Sequence, residues 1–227
     1  METSPSPDEL QRPHAPPSQA LGAVVYNAVT PGYDKNRLEE HPEEPWVRVD
    51  RRSPPPEIVD SRAATLWNRE QKLIHAPKTG LWSVYLDGSL TPKGGLTALV
   101  EGWLEKADIA LFKHPHRSCA YAEIDACVAR GKITAQQGER VRSHFMLAGF
   151  PKDFGLWALG MIARRTHSNS IQIFAMPIVF HHVVHDAARD QLWFPFVLWR
   201  LKEAPRRVHT IDADIFDNRY FAFTRHR

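Results

Sequence analysis

Cysteine is nearly absent from this chain, which has only Cys119 and Cys127 in 227 residues. The segment between them reads as helix, so their Cα atoms would stand about 12 Å apart at 1.5 Å per residue. That span excludes a mutual disulfide, and neither thiol has partners at metal-ligand spacing. Two buried thiols suit a reducing compartment, so a cytoplasmic location is the expectation. Long hydrophobic runs are also missing. No stretch approaches the roughly 18 apolar residues needed to span a bilayer, and the N-terminal METSPSPDELQRPHAPPSQ has no apolar signal core. We therefore expect no integral membrane segment and no export signal. Neither sign of charge prevails: 29 basic residues face 26 acidic ones, for a net +3. That balance argues against a nucleic-acid partner.

What is present is an ordinary globular composition, 43% hydrophobic and 24% charged. A chain of this size can bury about 70% of its unfolded surface, enough for one domain with a core. Residues 1–20 read as a disordered proline-rich tail and 21–227 as the folded domain. LGAVVYNAVT is a compact β-branched run closing on the turn signal PGYD, hence a first strand. A short strand is expected around Trp46–Val49, a helix over 61–77, and a second strong strand in LWSVYLDGSL. Residues 94–150 read as mostly helical, interrupted by a strand at IALF. FGLWALGMIARR is a further apolar run, and the stretch from Ser168 to Lys202 reads as two helices. Strands alternating with helices predict a mixed three-layer α/β/α sheet. There is no internal repeat.

Four motifs carry chemistry. Asp87 stands at the end of an apolar strand with Gly88 beside it, and in α/β sheets ligands bind outside the carboxyl ends of strands. It could equally cap the following turn. As a metal ligand it would need a second carboxylate, and the position two residues on is Ser89, a poor ligand. Lys113, His114, His116 and Arg117 crowd a loop between a strand and a helix, a suitable place for an anion or simply a solvated basic loop. Arg189, Asp190 and Gln191 open an apolar, aromatic helix. In HHVVHD, His181 and His185 share a helix face as zinc ligands do in H-E-x-x-H proteases, but His182 replaces the glutamate base, so that signature is broken.

The order of VVYNAVTPGYD, NREQKLIHAP, WSVYLDGSL, FKHPHRSCAYAE, GLWALGMIARRTHS and RDQLWFPFVLW resembles the glycosyltransferase-like domain of the TOD/MUCI-type proteins, over roughly residues 22 to 202. The most specific part is HPHR followed by RDQL about seventy residues later. The resemblance implies a GT-A-like fold that binds a nucleotide sugar. The matching positions are Thr30, Gly32, Tyr33 and Asp34 after the first strand, Arg69 and Lys72 on the first helix, Asp87 and Ser89, His114 to Arg117, Tyr121 and Glu123, Arg164 and Arg165, and Arg189 to Gln191. Here VFHHVVH precedes RDQL where relatives carry tryptophans and an acidic residue. His209 is the one placed candidate for a C-terminal metal-binding histidine.

What the resemblance implies is transfer of a sugar from a nucleotide-diphosphate donor to a hydroxyl of a carbohydrate or glycoconjugate. Thr30, Gly32, Tyr33 and Asp34 would hold base and ribose. Arg69, Lys72, Ser89, His114, His116 and Arg117 would complete the nucleotide-sugar site, and Asp87 would meet the donor sugar or a Mn²⁺ or Mg²⁺ ion. Asp190, flanked by Arg189 and Gln191, is the catalytic candidate. The rival readings are a nucleotide-sugar or glycan-binding module that no longer catalyses, which Ser89 keeps open, and a hydrolase built on the histidine cluster.

Overall fold

The computed structural model describes residues 22–29, 38–40, 43–167, 169–202 and 207–224. The proline-rich tail expected at 1–20, and Thr30, Gly32, Tyr33 and Asp34, lie outside the described residues. The chain order is β1 (Ala23–Ala28), β2 (Val47–Arg52), α1 (Ser61–Leu73), β3 (Trp82–Leu86), β4 (Leu90–Pro92), α2 (Thr97–Leu104), β5 (Ile109–Lys113), α3 (Ala120–Ala129), α4 (Ala135–Ala148), β6 (Trp157–Arg165), one π-helical turn (Ile171–Ala175), α5 (Met176–His185), α6 (Asp190–Arg200), β7 (Val208–Ile211) and β8 (Phe221–Phe223).

Local chemistry sets several of these boundaries. Asp60 caps α1 by accepting from Ala63 N at 2.8 Å. The helix is over before Pro77, whose ring disfavours helical backbone in the residue preceding it. Thr134 and Gln137 form a reciprocal capping box on α4, and Gly149 ends that helix at φ 74°, a left-handed conformation that glycine adopts without a Cβ penalty. Pro177 follows directly on the π-helical turn, whose wider hydrogen-bond spacing lets the helical run continue through a residue without an N–H.

The main sheet has the order β2-β1-β3-β6-β5-β7. β1 is parallel to β2 and β3, and β5 is parallel to β7, while β6 is antiparallel to both β3 and β5. Five strands therefore point one way and β6 alone points back. Side chains alternate across the sheet with period two. Val24, Tyr26 and Ala28 join Tyr85, Ile109 and Leu111 under α1 and α3 to α6. Ala23 and Val25 join Val84, Leu86, Ala110 and Phe112 on the other face, under α2 and the β4–β8 pair. The result is the expected three-layer α/β/α arrangement, a mixed sheet with helices on both faces. Sequence reading did not foresee β4, β7 and β8, which follow short or late apolar runs.

α2 is capped from a distance. The Glu44 carboxylate accepts from Leu96 N at 2.6 Å and Thr97 N at 2.8 Å, so the helix's unpaired N–H groups meet a negative charge from the β1–β2 connection. A Cβ on Gly95 would stand 3.0 Å from the same carboxyl group, which is why a residue without one sits there.

Candidate functional site

Because five strands share a direction, their carboxyl ends share an edge. That edge receives the segment after β1, Asp87 after β3, the His114–Arg117 loop after β5 and Asp212 after β7. The chain leaves β1 for β2 on one side and later returns by α1 to β3 on the other, which makes the gap between β1 and β3 a topological switch point. α1 runs back from this edge. Its Asn68, Arg69 and Lys72 share a face at i, i+1 and i+4, with side chains leaning toward the helix N-terminus and so toward the edge.

These side chains meet in one ionic cluster. Lys72 Nζ lies 2.7 Å from Asp190 Oδ2 and 4.0 Å from Asp87 Oδ1, and Arg69 Nε lies 3.5 Å from Asp190 Oδ1. The Tyr85 hydroxyl lies 2.9 Å from Asp87 Oδ1, to which it donates, and 3.3 Å from Asn68 Oδ1. Asn68 in turn donates to the Ala28 carbonyl, tying the cluster to the last residue of β1. Burial alone would raise the Asp190 carboxyl, but the Lys72 and Arg69 cations outweigh it and hold Asp190 well below the usual carboxylate range. Burial, reinforced by Asp87, pushes Tyr85 well above its ordinary value, so it remains a neutral donor.

The two carboxylates differ in access. Asp190 and Lys72 side chains are each 3% exposed, whereas the Asp87 side chain is 37% exposed. Asp87 therefore faces outward while Asp190 is sealed behind it. The turn after β3 closes through backbone, Leu90 N to Asp87 O at 2.9 Å, leaving the carboxylate to Tyr85 and Lys72. β6 comes close to the same carboxylate: a Cβ on Gly160 would stand 3.1 Å from Asp87 Oδ2. Ser89 is buried in the turn.

A second polar chain joins the two most specific motifs. Glu123 on α3 receives Arg117 Nε on Oε2, with His114 Nε2 3.5 Å from the same oxygen. Its Oε1 accepts from Cys127 at 3.4 Å. Arg189 lies beside Cys127 and donates to Gln191 Oε1 at 3.1 Å. HPHR and RDQ, distant in sequence, are thus linked through Glu123 and Cys127. His114 Nδ1 accepts from the backbone N–H groups of His116 and Arg117 at 3.3 and 3.2 Å, so the neutral ring carries its proton on Nε2, toward Glu123. Cys119 and Cys127 are both free thiols.

Arg164 and Arg165 belong to the opposite edge, at the end of the reversed strand β6. Arg164 is 1% exposed and donates to Tyr26 Oη and to the Lys72 carbonyl, each at 2.6 Å. A cation on a C-terminal carbonyl of α1 suits the helix dipole and fixes the backbone that carries Lys72. Tyr121 donates to the Phe150 carbonyl at 2.8 Å, a packing role.

A divalent cation at Asp87 is not matched by these donors. It would find one carboxylate, and it would face the Lys72 ammonium, which already lies 4.0 Å from Oδ1. Two unit charges 4 Å apart interact by about 4 kcal/mol in a partly solvated site, and a dication against an ammonium repels by about twice that. Among the described residues no group of three or more His, Cys, Asp and Glu side chains is disposed to hold a metal. The His181 and His185 rings are tilted 45° to each other with centroids 4.5 Å apart, whereas His182 is stacked 4.1 Å from Trp193 with Nδ1 2.7 Å from Asp186 Oδ2. His209 lies in β7.

Acid should weaken the fold through its histidines. Burial lowers His114, His144 and His209 below the ordinary 6.5. Between the two values the unfolded chain binds more protons than the folded one, so stability is full above about pH 6.5 and declines as pH falls through it. Thermal melts from about pH 8 to 5 should show the midpoint falling below about 6.5. A flat profile would mean these rings protonate as easily folded as unfolded. Asp190 adds a loss of the same sign only below its ordinary 3.8.

Asn68, Tyr85 and Gly160 escaped notice as site residues: Asn68 and Gly160 meet partners far away in the chain, and the Tyr85 hydroxyl sits within an apolar strand run two residues before Asp87. The one available signal was spacing, since Asn68 and Lys72 at i and i+4 share a helix face.

A family model described as TOD1/MUCI70, glycosyltransferase-like domain, matches residues 75–225. The matched span holds Asp87, the HPHR loop and Arg189 to Gln191, and begins after Arg69 and Lys72. No curated protein gives a significant match. Among solved structures, a glycosyltransferase involved in glycosylation of the major capsid of PBCV-1 is 12% identical, with 84% of this chain and 81% of that one covered at a TM-score of 0.46. Mouse xyloside xylosyltransferase 1 in its apo form is 11% identical, with 85% of each chain covered at a TM-score of 0.37. Likeness at this level assigns no residue a role. No helix among the described residues is long and apolar enough to cross a membrane.

Proposed function

Taking as premise that this chain belongs to the TOD1/MUCI70 glycosyltransferase-like domain family, we propose that it moves a sugar from a nucleotide-diphosphate donor to a hydroxyl of a carbohydrate or glycoconjugate, on a GT-A-like scaffold. The observation that carries the reading is the cluster of Arg69, Lys72, Asp87 and Asp190 at the switch point between β1 and β3, where α/β sheets receive ligands. The donor's base and ribose would lie against the segment after β1, which includes Thr30, Gly32, Tyr33 and Asp34. Its diphosphate would face the cations of α1 and the basic loop after β5, and Asp87, the exposed carboxylate, would meet the sugar.

Charge development in glycosyl transfer falls on the anomeric carbon and on the departing phosphate. In this reading Asp87 stabilises the first and the Lys72 and Arg69 cations the second. Asp190 is too strongly held as an anion to act as an efficient general base, since a base works best with a pKa near the working pH. It serves as a positioning residue that fixes Lys72. Arg189 and Gln191 keep the start of α6 in place beside it. His114, His116 and Arg117 present the basic loop, with Arg117 anchored on Glu123.

A thermal-shift screen against nucleoside diphosphates and nucleotide sugars tests the reading. A true ligand at 100 times its dissociation constant should stabilise the fold by about 2.7 kcal/mol. Product analysis with the stabilising donor and a panel of glycans should then show transfer. Stabilisation with neither transfer nor donor hydrolysis would leave a binding module, and no stabilisation by any nucleotide would remove the proposal.

A further inference from the structure

The donor side of this site carries its own fixed cation. We propose that the protein binds the diphosphate of a nucleoside diphosphate without a divalent metal, the Lys72 ammonium occupying beside Asp87 the place a metal would take. This rests on the nucleotide-sugar reading above and goes beyond it in naming what neutralises the leaving group. Three observations carry it. First, Lys72 is built in: its side chain is 3% exposed, clasped by Asp190 at 2.7 Å, on a helix whose Lys72 carbonyl is held by the buried Arg164. Second, its ammonium lies 4.0 Å from Asp87 Oδ1, the one exposed carboxylate of the cluster, so a metal bound there would share its ligand with a fixed positive charge. Third, the residue two positions after Asp87 is Ser89, buried in its turn, and the next carboxylate, Asp190, is already ion-paired with Lys72 and Arg69. The charges of a metal site are thus present in covalent form: an anion toward the sugar, with a cation behind it.

The arrangement also explains the burial of Asp190. An ammonium withdrawn from water needs a partner, and Asp190 supplies it at 2.7 Å, while Asp87, the exposed carboxylate, lies 4.0 Å from the same ammonium. The cluster would therefore meet the phosphates ready-charged, with no ion to recruit.

The test uses the full chain and isothermal titration with UDP, GDP, ADP and CDP, each in EDTA and again with Mn²⁺ or Mg²⁺. The expected result is that at least one diphosphate binds in EDTA, with an affinity changed by less than about threefold on adding metal. An affinity that rises tenfold or more with metal overturns the proposal while leaving the nucleotide-sugar reading intact. Failure of every diphosphate under both conditions removes that reading, and the proposal with it. Lys72→Gln adds a second arm: affinity in EDTA should drop by about tenfold or more, the scale of one lost charge-assisted contact. A folded Lys72→Gln protein that binds as well as wild type in EDTA overturns the proposal. Should this variant not fold, the wild-type comparison decides alone.

Discussion

Asp190→Ala is expected to destabilise the protein by about 3–5 kcal/mol, the scale of removing one partner from a buried ion pair. Lys72 Nζ and Asp190 Oδ2 are 2.7 Å apart with both side chains 3% exposed, so the variant leaves an ammonium in the interior facing no buried anion. Against a typical total of 5–15 kcal/mol this is a large fraction, visible as a lower urea midpoint with unchanged slope. The double variant Lys72→Met/Asp190→Ala should recover part of the loss, because it removes the stranded charge as well as its partner, and the recovery measures the coupling. A single-variant loss under about 1 kcal/mol would show that Lys72 reaches water or loses its proton at little cost.

Asp87→Asn should do the opposite: stability within about 1 kcal/mol of wild type, and sugar transfer reduced by about 10²-fold or more, the scale of one preorganised electrostatic contact. The carboxylate is 37% exposed and takes one hydrogen bond, from Tyr85, which an amide oxygen can still accept. What disappears is the negative charge presented at the edge. The check is donor turnover alongside a chemical melt of the same preparation. Full activity in Asp87→Asn would return this residue to a structural role at the end of β3.

The contrast between these variants shows what the sequence could reveal. Asp87 was legible because strand periodicity stops there, and the basic loop and RDQ because charge interrupts apolar runs. β1, α1, β3 and β5 were legible for the same reason, with clear periods and clear punctuation. β6 was harder. WALGMIARR is a nearly unbroken apolar run, buried on both faces of a central strand, and its periodicity cannot separate strand from helix. β7 and β8 exist by virtue of their partners: VHTI pairs with β5 and FAF with β4, and neither run announces a strand alone. At the site, sequence reading named Lys72 and Asp190 separately, and the structure pairs them, a contact between α1 and α6 that local spacing does not encode. Glu123 likewise joins HPHR to Cys127 only once α3 packs behind the loop.

The reversal of β6 has a bearing on how this protein could diversify. That strand lays Gly160 against Asp87 and, farther along, inserts Arg164 beneath the helix bearing Lys72. A single ruler of backbone therefore spaces the anion and the support of the cation. The β5–β6 register already shifts between Ala110 and Phe112, and a further slip of one residue in the regular stretch up to Arg164 would turn that arginine to the other layer. Insertions should then accumulate in the connections before Trp157 and after Arg165, while the distance from Gly160 to Arg164 stays constant among functional descendants. Acceptor preference could drift through the loops without disturbing that spacing.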